Sequence, residues 1–273
     1  MAMHGASRTS SVTVAEGLRL AVFEWGDPDG HALVLLHGGG LSSGEWTEIG
    51  PLLAAGRRVV SFDARGCGES DPDPERRYGV RTIGDDLDRV RAALGLRSFV
   101  LVGHSFGAVT ACVYAAEHPT VVTSLVLVDG GPANHTRPGS LKNPPLTFAT
   151  PAAAAAALTP SLPNGFPNWY LDARFRTLPD GTLTWRSDMV GRVEWSRAGG
   201  EPLIPGLWPH VEMLSMRTIV LHGASSPLFP RETAVRMTEV SPVIQLVEVE
   251  GAGHFVHIDR PDAVVAAVEG LTS

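Results

Sequence analysis

The chain has 273 residues, 44% of them hydrophobic and 19% charged, which suits one large α/β domain or two small ones. A net charge of −7, with no basic run, argues against nucleic acid as a partner. No apolar run approaches the roughly 20 residues that span a bilayer, and the opening residues lack a signal-peptide stretch, so no membrane partner and a cytoplasmic location are expected.

Two β-prone runs open the chain, at 11–14 and 18–25, and Gly26-Asp27-Pro28-Asp29-Gly30 is a turn. Compact apolar runs follow at 32–36, 58–62, 99–102 and 125–128. Each ends in a glycine-rich or polar loop, and helical patterns separate them. Such alternation predicts an α/β fold: a mostly parallel central sheet with helices on both faces. The helix over 82–94 carries Ile83, Leu87, Val90 and Leu94 at helical spacing. Asp85 and Asp86 fall in its first turn, beside Arg89, and read as a solvated face. Cys67 and Cys112 have no metal-ligand spacing, and Cys112 reads as a buried thiol in an apolar helix.

From Pro132 the texture changes. Prolines crowd the next segment, and four of the six tryptophans lie between Trp169 and Trp208. Residues 132–213 read as an inserted lid of short helices, dividing a core made of 1–131 and 214–273. Thr150 is placed to cap Pro151 and the alanine run at 152–157, although the run also suits a loosely ordered linker. A strand at 216–222, a helix at 231–240, a strand at 243–249 and an amphipathic helix at 261–271 complete the order.

The segment Val100-Leu101-Val102-Gly103-His104-Ser105-Phe106-Gly107-Ala108 sets Gly-x-Ser-x-Gly between a strand and a helix. A tight turn there strains the serine and lifts its hydroxyl above the sheet edge. Gly103 and Gly107 leave room for strand and helix to pack closely.

With this turn, three further segments resemble the α/β-hydrolase superfamily, in its serine-nucleophile, esterase-like branch. They are Leu36-His37-Gly38-Gly39-Gly40, Asp63-Ala64-Arg65-Gly66-Cys67-Gly68-Glu69-Ser70 and Glu250-Gly251-Ala252-Gly253-His254-Phe255. The resemblance implies Ser105 as nucleophile, with an oxyanion hole formed by the Gly39 and Phe106 amides, Gly38 being the lesser choice. His37 reads as a structural part of its loop, and His104 as packing under the turn.

The base is expected at His254, on a small-residue loop after a late strand; His257 is the decoy. The usual acid position, after the seventh strand, reads Gly223-Ala224-Ser225-Ser226, with serine where an acid is expected. Asp129 ends the sixth strand at the carboxyl edge of the sheet. Some small bacterial esterases that the chain resembles take their acid from that strand end, which points to Asp129. Asp63 reads as a loop organiser with Arg65.

The resemblance implies hydrolysis of a carboxylic ester, lactone or thioester of a small to medium, largely apolar molecule, through an acyl-enzyme. A lyase or cyclase using the Ser–His pair, or a slow ligand-binding relative, is the alternative. No metal or other cofactor is implied, and the oligomeric state is open. Gly38, His37, Trp169, Trp185 and Trp208 are candidate pocket residues, within an apolar pocket that Tyr170, Phe175 and Trp195 would extend. Arg174, Arg176, Arg186, Arg192 and Arg197 read as solvating the lid, with contact to an anionic group as the other possibility.

Overall fold

The computed structural model describes residues 5–14, 17–132, 145–158, 168–197 and 206–272. Its strands are β1 (Arg8–Thr13), β2 (Arg19–Gly26), β3 (His31–Leu36), β4 (Arg57–Phe62), β5 (Phe99–His104), β6 (Val122–Val128), β7 (Thr147–Phe148), β8 (Phe175–Thr177), β9 (Leu183–Trp185), β10 (Thr218–Gly223) and β11 (Ile244–Val249). Its helices are α1 (Ile49–Leu53), α2 (Val80–Ala93), α3 (Phe106–Glu117), α4 (Pro151–Leu158), α5 (Asn168–Arg174), α6 (Met189–Arg197), α7 (Trp208–Met213), α8 (Arg231–Val240), α9 (Val256–Asp259) and α10 (Pro261–Thr272).

Eight strands form one sheet in the order β1-β2-β4-β3-β5-β6-β10-β11. Only the β1–β2 and β2–β4 pairs are antiparallel; from β4 to β11 every pair is parallel. The apolar runs are continuous because both faces are covered. On β3, Val34 and Leu36 enter one core with α2, α3 and α8, whereas Leu33 and Leu35 enter the other with α1 and α10. Among the described residues no helix is long and apolar enough to cross a membrane.

Helix α2 begins at Val80 rather than 82, which moves Asp86 out of its first turn. The expected solvated face is corrected here. Asp86 is fully buried and receives two hydrogen bonds from Arg65, at 2.8 and 2.6 Å. Arg65 also donates to buried Asp73 at 2.5 Å. Asp63, in turn, accepts from the Ser43 and Glu69 amides at 2.6 and 2.8 Å, so it does organise its loop, but without Arg65. An Arg65→Ala variant would leave buried Asp86 with only the half-exposed Arg89, at 3.8 Å, and Asp73 with Arg77 as its one remaining cation. A stability loss of about 3–5 kcal/mol is expected, read as a lower urea midpoint with an unchanged m-value.

Between β6 and β10 the chain is not purely helical, as the sequence had suggested. β7, β9 and β8 form a three-stranded antiparallel sheet. β8 and β9 are joined through Leu178-Pro179-Asp180-Gly181, where Gly181 has φ +85° and the Leu178 amide donates to Thr182 O at 2.7 Å. That Asp-Gly pair is a hairpin signal the proline-rich texture masked. Thr150 caps α4 as expected, its Oγ1 accepting from the Ala153 amide at 3.2 Å.

Candidate active site

Strands β5 and β6 pair in register, with Gly103 opposite Leu127 and His104 opposite Val128. Each strand therefore delivers its next residue, Ser105 or Asp129, to the same carboxyl edge. Both residues take positive φ, +52° for Ser105 and +47° for Asp129. Such backbone is strained by about 1–3 kcal/mol per residue outside glycine. The neighbouring strands hold it in place: Ser105 N–H donates to Val128 O at 2.9 Å and Asp129 N–H to Leu221 O at 2.8 Å. Glycine is required behind the serine, because a β-carbon at Gly107 would lie 2.3 Å from Leu36 O.

His254 reaches these two strand ends from the loop after β11. Its Nε2 lies 2.9 Å from Ser105 Oγ, and its Nδ1 lies 2.6 Å from Asp129 Oδ2. Asp129 is fully buried and His254 is 4% exposed. The carboxylate also accepts from Gly223 N–H at 3.0 Å and from Ser226 Oγ–H at 2.5 Å. Every group around it is a donor, so the His254 proton sits on Nδ1 and the Nε2 lone pair faces the serine. Ser226, in the loop where an acid was expected and is missing, thus hydrogen-bonds to Asp129 at the end of β6. Burial lowers the His254 pKa below the ordinary histidine value; Asp129 opposes that shift without overcoming it.

The glycine loop after β3 is divided in its duties. Gly38 N–H donates to Glu45 Oε1 at 3.0 Å. By contrast, the Gly39 and Phe106 amides have no acceptor among the described residues. A β-carbon at Gly39 would lie 3.3 Å from Phe106 Cβ, which brings the two residues side by side. This favours Gly39 over Gly38 as a donor to a bound oxygen.

Glu45 was not singled out in the sequence. Its Oε2 lies 3.3 Å from His104 Nδ1, while His104 Nε2 lies 3.1 Å from His254 O. Both ring nitrogens of His104 thus face oxygens of other loops. The Glu45–His104 pair ties the glycine loop to the backbone of the histidine loop. His257, the decoy, is 1% exposed and packs on Trp46 at 5.0 Å between centroids. Glu45, His104 and His257 each bring one donor atom within 4.8 Å of the others. The first two are already committed to each other, to Gly38 and to His254 O, which makes the group a strut rather than an open ligand set.

The expected pocket residues part company. His37 is engaged at both nitrogens: Nε2 accepts from the Ala64 amide at 2.9 Å, so Nδ1–H donates to Gly38 O at 2.8 Å. Its ring supports the loop, although His37 and Gly38 both border a narrow cavity beside Phe106. The Trp169 and Trp195 side chains lie outside the described residues. Trp185 packs against Phe148 and Phe175, at 5.5 and 4.6 Å, and its indole N–H donates to Pro145 O at 2.7 Å. That apolar cluster includes Leu41 and Phe255, which neighbour the glycine and histidine loops. Trp208 is a correction. It packs on the core shared with α3 and α8, beneath the Arg236 guanidinium at 4.1 Å. Two tryptophans of one proline-rich stretch look alike in sequence, but Trp208, like Leu207 before it, sits against the core.

A parallel sheet of this crossover order, with a serine turn closing its fifth strand, defines the α/β-fold hydrolases as the enzyme class. The chain belongs to that family: the model of the alpha/beta hydrolase fold matches residues 31–261. It is 31% identical over 260 residues to an sn-1-specific diacylglycerol lipase of Mus musculus, covering 89% of this chain and 81% of that one. An N-formylmaleamate deformylase of Pseudomonas putida is 28% identical over 276 residues, covering 93% and 92%. The crystal structure of an E-2-(acetamidomethylene)succinate hydrolase superposes with a TM-score of 0.83, at 24% identity, over 97% of this chain and 98% of that one.

Proposed function

We propose that the protein is a serine hydrolase that cleaves a carboxylic ester, lactone or thioester through an acyl-enzyme. The observation that carries this reading is the continuous chain Ser105–His254–Asp129, at 2.9 and 2.6 Å, beside two uncommitted amides. Ser105 Oγ attacks the carbonyl carbon while its proton passes to His254 Nε2, and Asp129 stabilises the imidazolium. Gly39 and Phe106 N–H hold the oxyanion of the tetrahedral species. Collapse breaks the bond to the leaving group, which takes the proton from His254. Water then repeats the cycle on the acyl-enzyme and frees Ser105. The relative named as a diacylglycerol lipase supports ester chemistry for this arrangement. Denaturing mass spectrometry after rapid mixing with a 4-nitrophenyl ester tests the reading. An acyl adduct on the peptide bearing Ser105 is expected, and steady turnover without any adduct in single-turnover conditions would contradict it.

Acidity provides a second test. His254 works as a base only when neutral, and burial holds its pKa below the ordinary value. The neutral form therefore persists into mildly acidic solution. kcat/KM is expected to stay level through neutrality and to fall, with unit slope, only below the ordinary histidine pKa of about 6.5. A midpoint above that value would mean that Asp129 outweighs burial.

A further inference from the structure

Arg192, on α6, was expected to solvate the insert, but it is only 9% exposed. A guanidinium carries a permanent charge and five N–H donors. Among the described residues its guanidinium has two partners, and neither is an oxygen. One terminal nitrogen lies 3.8 Å from Cys67 Sγ, and the group stands 5.1 Å from the centre of the Tyr78 ring. Its Nε is buried with no partner among the described residues. Neither neighbour is an anion. Burial raises the Cys67 thiol pKa, and burial, with a hydrogen bond to Asp188, does the same for the Tyr78 phenol. Asp188 is itself committed to Tyr78 O–H at 2.5 Å and to Gly191 N–H at 2.8 Å. A buried charge in this condition is strongly unfavourable unless something completes it.

What could complete it is defined by the space in front of it. Arg192 borders a narrow cavity of about 10 Å³ together with Gly38, Phe106, Gly107 and Thr110. Phe106 carries one of the uncommitted amides, and Gly38 precedes the other. The cavity is thus bordered by Phe106 and by the residue next to Gly39. A space of that size holds at most a single oxygen atom. A guanidinium and a carboxylate also match in charge and hydrogen-bond geometry.

We infer that Arg192 binds a carboxylate of the substrate while the scissile carbonyl occupies the hole formed by Gly39 and Phe106. This rests on the hydrolase reading and narrows its substrates to acyl compounds that carry a free acid.

A matched pair of esters tests it: 4-nitrophenyl hydrogen glutarate, and its methyl-capped neutral analogue. In the wild-type enzyme the acid is expected to have a kcat/KM about 10- to 100-fold higher, the worth of a charge-assisted hydrogen bond. Arg192→Met should abolish that preference and leave the neutral ester within about threefold. Arg192→Lys, which keeps the charge but not the fork, should retain part of it. The inference is overturned if the wild type handles both esters equally or prefers the neutral one, or if Arg192→Met lowers both alike. None of those results touches the hydrolase reading, which fails if Ser105→Ala changes neither rate. In that event glutarate alone decides: it should raise the melting temperature of the wild type, raise that of Arg192→Lys less, and leave Arg192→Met unchanged. Equal shifts, or no shift in the wild type, would overturn the inference.

Discussion

Ser105→Ala is expected to lower kcat by about 10⁶, to the level supplied by binding and the oxyanion amides alone. No other change at the site should remove as much, because in the proposed reaction the hydroxyl oxygen is the atom that becomes bonded to the substrate. The backbone at Ser105 is set by Val128 O, the close approach of Gly107 and the start of α3, none of which involves the side chain. The alanine variant should therefore fold, with a melting temperature within a few degrees of the wild type. Stopped assays with 4-nitrophenyl esters alongside thermal unfolding would measure both. Turnover within about tenfold of the wild type in a folded variant would remove Ser105 from the reaction.

Asp129→Asn should cost about 10⁴ in kcat, with little change in KM, because it misorients a proton rather than removing a contact. The carboxylate accepts three hydrogen bonds, from His254, Gly223 and Ser226. An amide has one acceptor oxygen for three donors, so its NH₂ would face His254 Nδ1. The imidazole proton then moves to Nε2, where it points at Ser105 and blocks proton transfer. Ser226 offers a way back. Its Oγ lies 2.5 Å from Asp129 Oδ2, so a carboxylate at 226 would stand close to the same imidazole. The Asp129→Asn, Ser226→Asp double variant is expected to recover about tenfold or more over the single variant. Failure of Asp129→Asn to slow the reaction would leave a Ser–His pair acting without an acid.

Much of the sheet could be read from the chain because its strands are buried on both faces and appear as unbroken apolar runs. Ser105 and His254 were legible for a local reason: each sits on a short glycine-rich turn whose residues adjoin in sequence. Asp129 was legible by absence, since Ser225 and Ser226 left the usual loop without an acid. Other features depend on partners far apart in the chain. Asp86 is buried because Arg65 comes to it from 21 residues away. Glu45 matters through His104, 59 residues on, and nothing in its own neighbourhood marks it. Arg192 looked like one of five similar lid arginines until its surroundings were known. In the insert, hydrophobic periodicity was interrupted by proline, so an Asp-Gly hairpin passed for a break between helices.

The register of β5 with β6 has a mechanical consequence. Ser105 and Asp129, the proposed nucleophile and acid, are mounted one residue past a shared ladder of hydrogen bonds, so their spacing can change only if the centre of the sheet opens. The third member hangs from a loop, and His104 is the tether that holds its backbone from behind. Local opening concentrates where the fewest contacts resist it, so the catalytic array should come apart from the histidine side. On heating, base-dependent turnover would then fade before the sheet melts, while Ser105 and Asp129 still stand at their original separation.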